Sequence, residues 1–200
     1  MINYKSRGRI VTLVIAGLFF AKGNVVKQSN RDPERPEIAL ADNDSAVDYS
    51  GPLVILTSPI SASASEIVSG TLKEYRRAVI VGSKKTFGKG TVQSVEPLKR
   101  GELGAIKTTV GMFFTAGGKS TQLRGVVSDI SFPSIYDSSE IGENTLDYSL
   151  PPKTIKPFLS AEAYVPYGPN SWDMVGRPLI KQLKKSSKKR VAKNKEFKKI

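Results

Sequence analysis

The chain has 200 residues with 31 basic and 18 acidic side chains, a net charge of +13, and neither histidine nor cysteine. Its length suits one domain with a modest appendage, and 39% hydrophobic residues are enough for a packed core. Without imidazole or thiol there is no Ser-His-Asp triad, no cysteine nucleophile, no disulfide and no zinc site of the usual ligands, which leaves acid-base work to carboxylates, lysine or tyrosine.

Residues 1–9 are polar and basic, and residues 10–21 form an apolar run of 12. A membrane span needs about 20. A basic start before such a run imitates a secretory signal, but Lys22-Gly23-Asn24 follows directly with no small-residue cleavage pattern, so a buried core helix is the preferred reading. Residues 24–38 hold turn formers and charges, and 38–41 read as a short strand.

Residues 53–57 (LVILT) read as a buried strand closed by Ser58-Pro59. Next, Ala64, Ile67, Val68, Thr71, Leu72 and Tyr75 recur at the spacing of one helix face. Ser63 precedes that helix with Glu66 three places on, the capping-box spacing. Residues 78–81 (AVIV) make a second buried strand, ended by Gly82. Strand, helix, strand with short connections predicts a βαβ unit with parallel strands. Functional groups gather beyond the carboxyl ends of such strands, so Ser63 and Lys89, 26 residues apart, are expected to share one crevice.

Residues 91–98 and 105–114 read as strands about a turn at 99–104, and Pro151, Pro152 and Pro157 mark a boundary. Beyond it a Tyr/Pro/Gly-rich link leads to a helix-prone end from about Ser171. Residues 171–200 carry 11 basic against 2 acidic side chains. That tail could meet phosphates or an anionic membrane surface, but without interleaved aromatics no nucleic acid is expected, and a solvated helix is the simpler reading.

Two constellations invite chemistry. Gly82-SKKTFGKGT misses the phosphate-loop pattern twice: five residues rather than four precede the Gly-Lys pair, and Gly90 replaces the Ser or Thr after it. Ser63 with Lys89 is stronger. A serine hydroxyl needs a base, and lysine serves only when neutral, which requires apolar walls; Phe87 and Val92 are candidates. The Ala64 amide at the helix start would face a developing oxyanion. Pattern alone also allows Ser63 to be only a cap, and Ser58, Ser61 and Ser65 compete as the nucleophile.

Ser63-Ala64-Ser65-Glu66 and Thr86-Phe87-Gly88-Lys89-Gly90-Thr91-Val92-Gln93 resemble the S-A-S-E and T-F-G-K-G-x-x-Q blocks of the carboxyl-terminal processing peptidases, the tail-specific proteases among them. The similarity runs from about residue 10 through 120–130 and 144–151 to the end. The resemblance implies an α/β fold: a Clp-protease/crotonase-like catalytic core containing the βαβ unit over residues 10–150, then a linker and basic helical extension over 151–200. It implies a Ser/Lys endopeptidase that cleaves exported proteins through an acyl-enzyme in the periplasm. Ser63 would be the nucleophile, Lys89 the general base, Gln93 the group orienting the lysine, and the Ala64 amide part of the oxyanion hole. Protein or peptide substrates with accessible C-termini are the expected partners; no cofactor, metal or transmembrane span is implied.

The family's upstream PDZ domain is not in the sequence, and residues 2–9 hold only Gly8 where the family has an N-G-G-G oxyanion loop. Losing one oxyanion donor costs about 100- to 1000-fold in rate. Lys84-Lys85 lengthens the Ser-to-Lys spacing by one, and Ser58 and Ser128 stand where the family has Asn or Asp and Pro. The chain thus looks like a carboxyl-terminal portion of such a protease, and a catalytically silent remnant that acts as a binding module is the alternative.

Overall fold

A computed structural model describes residues 4–30, 32, 34, 37–136 and 140–200, with side chains described from residue 11 onward. The first three residues of the polar, basic start at 1–9 and part of the turn signal, at 31, 33, 35 and 36, lie outside the described residues. Helix α1 (Tyr4–Gly17) leads into strands β1 (Gly23–Asn30), β2 (Ile38–Asp42) and β3 (Val54–Thr57), then helix α2 (Ala64–Glu74). Strands β4 (Val79–Gly82), β5 (Thr91–Pro97), β6 (Ala105–Thr115) and β7 (Ile130–Ser131) precede helix α3 (Arg177–Lys193). No helix among the described residues is long and apolar enough to cross a membrane.

The strands form two sheets. One is antiparallel in the order β2-β1-β6-β5, and the other is parallel in the order β3-β4-β7. The βαβ expectation holds: β3 and β4 are adjacent and parallel, pairing Val54 with Val79 through Thr57 with Gly82. Helix α2 joins them and also packs on the antiparallel sheet, with Thr71 Oγ1 donating to Val25 O at 2.7 Å. Contact on two sides explains why Ser69, Gly70 and Glu66 are buried along with the apolar face of Ile67, Leu72 and Tyr75. At its carboxyl end Glu74 accepts from Thr115 Oγ1 and the Gly117 amide, each at 2.7 Å, and Tyr75 OH donates to Asn24 O at 3.0 Å. The helix is thereby clamped, and its amino end is placed with it.

Three sequence expectations need correction. β3 is not a buried strand: Val54 and Leu56 are 56% and 74% exposed, because β3 is an edge strand with one uncovered face. A continuous apolar run reads as doubly buried only when both faces have a partner. Residues 10–21 do not form one buried helix either. α1 stops at Gly17 and buries Thr12 and Ala16 while Val11, Val14 and Ile15 remain exposed; Phe20 enters the core after the helix has ended. Residues 24–38 are not simply a turn region, since β1 is an inner strand with Val25 and Val26 both buried. A bulge between Asn24 and Val26 breaks the alternation that would have revealed it.

The core gathers Phe20, Val25, Leu72, Ile80 and Phe113. Arg77 is only 2% exposed; its guanidinium donates to the carbonyls of Phe19 and Tyr49 at 2.7 and 2.6 Å, against the rings of Phe19, Tyr49 and Trp172. Leu72→Ala is expected to cost about 2–5 kcal/mol through its cavity, whereas Leu56→Ala on the open face should change stability by less than about 0.5 kcal/mol. Urea unfolding of both variants measures the contrast, and equal losses would contradict the uncovered face of β3.

Candidate active site

Ser63 lies between the end of β3 and the first turn of α2, with φ 56° and ψ −111°. That left-handed backbone is costly for a residue with a Cβ, of order 1–3 kcal/mol, and persists only where surrounding contacts enforce it. The enforcing group is Glu66, which is fully buried. Its Oε2 accepts from the Ser63 amide at 2.8 Å and the Lys89 amide at 2.9 Å. Its Oε1 accepts from Thr86 Oγ1 at 2.5 Å and the Gly88 amide at 2.7 Å. One carboxylate thus ties the loop bearing the serine to the loop bearing the lysine. Burial pushes the Glu66 carboxyl above its ordinary range, and the four donated hydrogen bonds pull the other way.

Further bonds hold the lysine loop. Phe87 N donates to Ser61 O at 2.9 Å, Leu123 N to Gly88 O at 2.8 Å, and Thr121 Oγ1 to Lys89 O at 2.9 Å. Gly88 has φ 93°, and a Cβ on Gly90 would lie 2.5 Å from the Gln122 amide nitrogen, so both glycines are required by geometry. Fully buried Gln122 accepts from the Gly90 amide at 2.8 Å and donates to Glu143 Oε1 at 3.1 Å.

Ser63, Ala64, Lys89 and Gln93 line one cavity of about 280 Å³. Of the four competing serines only Ser63 does so; the Ser65 hydroxyl donates to Ala62 O, and that of Ser61 accepts from the Ser58 amide. The Ala64 amide opens α2, where the first amides have no intrahelical acceptor. Lys89 Nζ donates to Gln93 Oε1 at 2.7 Å, and Gln93 Nε2 donates to Thr91 Oγ1 at 3.2 Å. The lysine's partner here is therefore Gln93 and not Ser63.

Burial holds the Lys89 amine below the ordinary lysine value, and nearby Lys107 adds to the effect; Glu143 and Glu66 oppose it. The apolar wall comes from Val26, Leu40, Ile67 and Phe113 along with the expected Val92, and Phe87 is not part of it. A capping-box reading of Glu66 anticipates only its bond to Ser63. The reach to Thr86, Gly88 and Lys89 spans 20 to 23 residues and has no local signal. Nor has the Gln122–Glu143 support.

A profile of peptidase family S41 matches residues 11–132. A tail-specific protease of Haemophilus influenzae is 39% identical over 144 residues, which cover 69% of this chain and 20% of that protein. A carboxy-terminal-processing protease of Bartonella bacilliformis is 39% identical over 119 residues, 58% of this chain and 26% of the relative. The chain thus spans about a fifth to a quarter of these relatives. Among solved structures, the photosystem II D1 C-terminal processing protease superposes on 66% of the chain and 36% of its own, with a TM-score of 0.51 and 27% identity.

Replacing Glu66 with Gln puts an amide N–H against donors, at a cost of about 1–3 kcal/mol for each donor left unpaired. Ser63→Gly should be more stable than Ser63→Ala by about 1 kcal/mol, because glycine relaxes the left-handed backbone. Chemical denaturation of the three variants reads both effects. An Ala variant as stable as the Gly variant would show the backbone to be unstrained.

Proposed function

The chain belongs to peptidase family S41, and from that membership we propose that it carries the nucleophile and base of a serine endopeptidase of the tail-specific, carboxyl-terminal processing type. The observation that carries the reading is one cavity lined by a strained serine, a lysine with a depressed pKa and the glutamine that orients it.

In this mechanism neutral Lys89 takes the proton of Ser63 Oγ as that oxygen attacks the scissile carbonyl. The Ala64 amide donates to the oxyanion that forms. The Lys89 ammonium returns the proton to the departing amine, the C–N bond breaks, and an ester on Ser63 remains. Lys89 then deprotonates a water, which attacks the ester; the released carboxyl end departs and Ser63 recovers its proton from Lys89. Gln93 keeps the amine aimed into the cavity throughout. The direct Ser63–Lys89 contact forms as substrate fills the site, in keeping with the long catalytic hydrogen bonds common in unliganded enzymes.

The same reading assigns residues 10–150 to the catalytic core, of the Clp-protease/crotonase-like kind, and 151–200 to a linker and basic helical region. Substrates are proteins or peptides with accessible C-termini, and the site of action is the periplasm. No bound cofactor enters any step of this mechanism.

Hydrolysis of an unfolded protein should fall by about 100- to 10,000-fold in Lys89→Ala and at least as far in Ser63→Ala; turnover that survives both changes would end the assignment. The active form of Lys89 is the neutral amine, so kcat/KM should rise with pH along a limb centred below the ordinary lysine value. Lys107→Gln removes a cation that favours deprotonation, and the limb should move to higher pH. A limb that stays in place would separate Lys107 from the titrating group.

A further inference from the structure

The carboxyl-terminal helix has no part in the cavity and carries a charge pattern of its own. Within its 17 residues α3 holds eight cations and no carboxylate. At about 100° per residue, Arg177, Lys181, Lys184, Lys185, Lys188 and Lys189 fall within an arc of about 140°. All six are exposed. The opposite side is seated on the body: Ile180 and Leu183 are half-buried, and beyond the helix Phe197 packs on Phe132 with ring centroids 5.5 Å apart. At the helix start the Val175 amide donates to Arg76 O at 2.7 Å, and Arg76 Nε returns a bond to Val175 O at 3.0 Å. The exposed cationic arc therefore lies off the side that Ile180 and Leu183 seat on the body, with Arg177, Lys181 and Lys184 bordering a groove against it.

None of these six cations pairs with a carboxylate among the described residues. Positions 177/181, 181/185, 184/188 and 185/189 are like-charge neighbours one turn apart, an arrangement that disfavours an isolated helix. An adjoining groove adds exposed Arg76 to Arg177, Lys181 and Lys184; its other two charges, Lys73 and Asp129, pair with each other at 2.9 Å. Continuing past the helix, Lys195, Lys198 and Lys199 extend the basic surface to the exposed Ile200.

We propose that the outer face of α3 is a docking surface for the headgroups of an anionic phospholipid bilayer. Charge complementarity names the occupant, and the composition of the arc distinguishes it from other polyanions. Apart from its cations the arc presents only Pro178 and Ala192, so it lacks the apolar anchor on which an acidic protein partner would be fixed. It has no aromatic side chain for a base to stack on. Lysine outnumbers arginine nine to two over residues 177–200, which suits diffuse attraction to a charged plane more than bidentate phosphate recognition. The helix is about 26 Å long, so its exposed cations are spread over a length that a planar surface can meet. This surface does not depend on the peptidase reading.

The test is sedimentation of the full chain with vesicles of 30% phosphatidylglycerol in phosphatidylcholine, beside vesicles of phosphatidylcholine alone. Binding is expected only to the former, weakening by about tenfold or more as salt rises from about 50 to 300 mM. Neutralising Lys181, Lys184, Lys185, Lys188 and Lys189 to Gln should weaken it by at least about 100-fold. A matched variant with Lys22, Lys84, Lys99, Lys153 and Lys156 changed to Gln has the same net charge and should bind nearly as the parent does. Circular dichroism of both variants reports whether the helices persist; loss of binding with the helix intact supports the assignment. Equal binding to both vesicle types, equal loss in the two variants, or displacement from the vesicles by duplex DNA at equal phosphate concentration would overturn it.

Discussion

One buried carboxylate holds the site together. Among the described residues Glu66 is the group that accepts from both the amide of the serine and the amide of the lysine, and four donated hydrogen bonds satisfy it. Each oxygen serves two donors, so its lone pairs are fully used. An acceptor-only group with two well-spaced oxygens is what this task needs. A hydroxyl has too few lone pairs, and an amide would turn a donor toward donors. The arrangement couples two loops that are otherwise joined by the Phe87–Ser61 backbone bond.

That carboxylate could not be placed without α2. The helix packs between a parallel and an antiparallel sheet, and Glu74 and Tyr75 pin its far end to the ends of strands in the antiparallel sheet. Rigid placement of the helix converts into rigid placement of its first residues, where Ser63 takes up its left-handed conformation. The strain is local, and the burial that sustains it is spread through the core. A cavity wall drawn from α2, β1, β2, β5 and β6 then excludes enough water to hold Lys89 below its usual pKa while leaving Gln93 as its partner.

The molecule divides into two electrostatic regions. Around the cavity the buried charges are met by hydrogen bonds, Lys89 by Gln93 and Glu143 by Gln122. Along α3 they are many, and none pairs with a carboxylate among the described residues. The first arrangement sets the protonation of individual groups at short range; the second makes a field that reaches about a Debye length into solvent. Burial accounts for the difference, because an uncompensated charge is tolerable only where water can solvate it.

Local pattern was sufficient wherever the determining neighbours lie within a few residues. The βαβ unit, the amphipathic face of α2, the hairpin of β5 and β6 and the basic end could all be read from spacing, since 3.6-residue and two-residue periods act through adjacent side chains. So could the pairing of Ser63 with Glu66. What covers β3, how far α1 is buried, and the existence of β1 behind its bulge depend on segments remote in sequence, which local pattern does not report. The choice of Ser63 over Ser58, Ser61 and Ser65 had to come from resemblance, because four similar hydroxyls in one loop differ only in where the backbone aims them. By itself, then, the sequence determined which chemistry was open to this protein: with no imidazole or thiol, lysine and serine remain. Only the tertiary structure decided which lysine stands in the cavity with which serine, because Glu66, Gln122 and Glu143 act across 20 to 32 residues of chain, distances that folding alone can close.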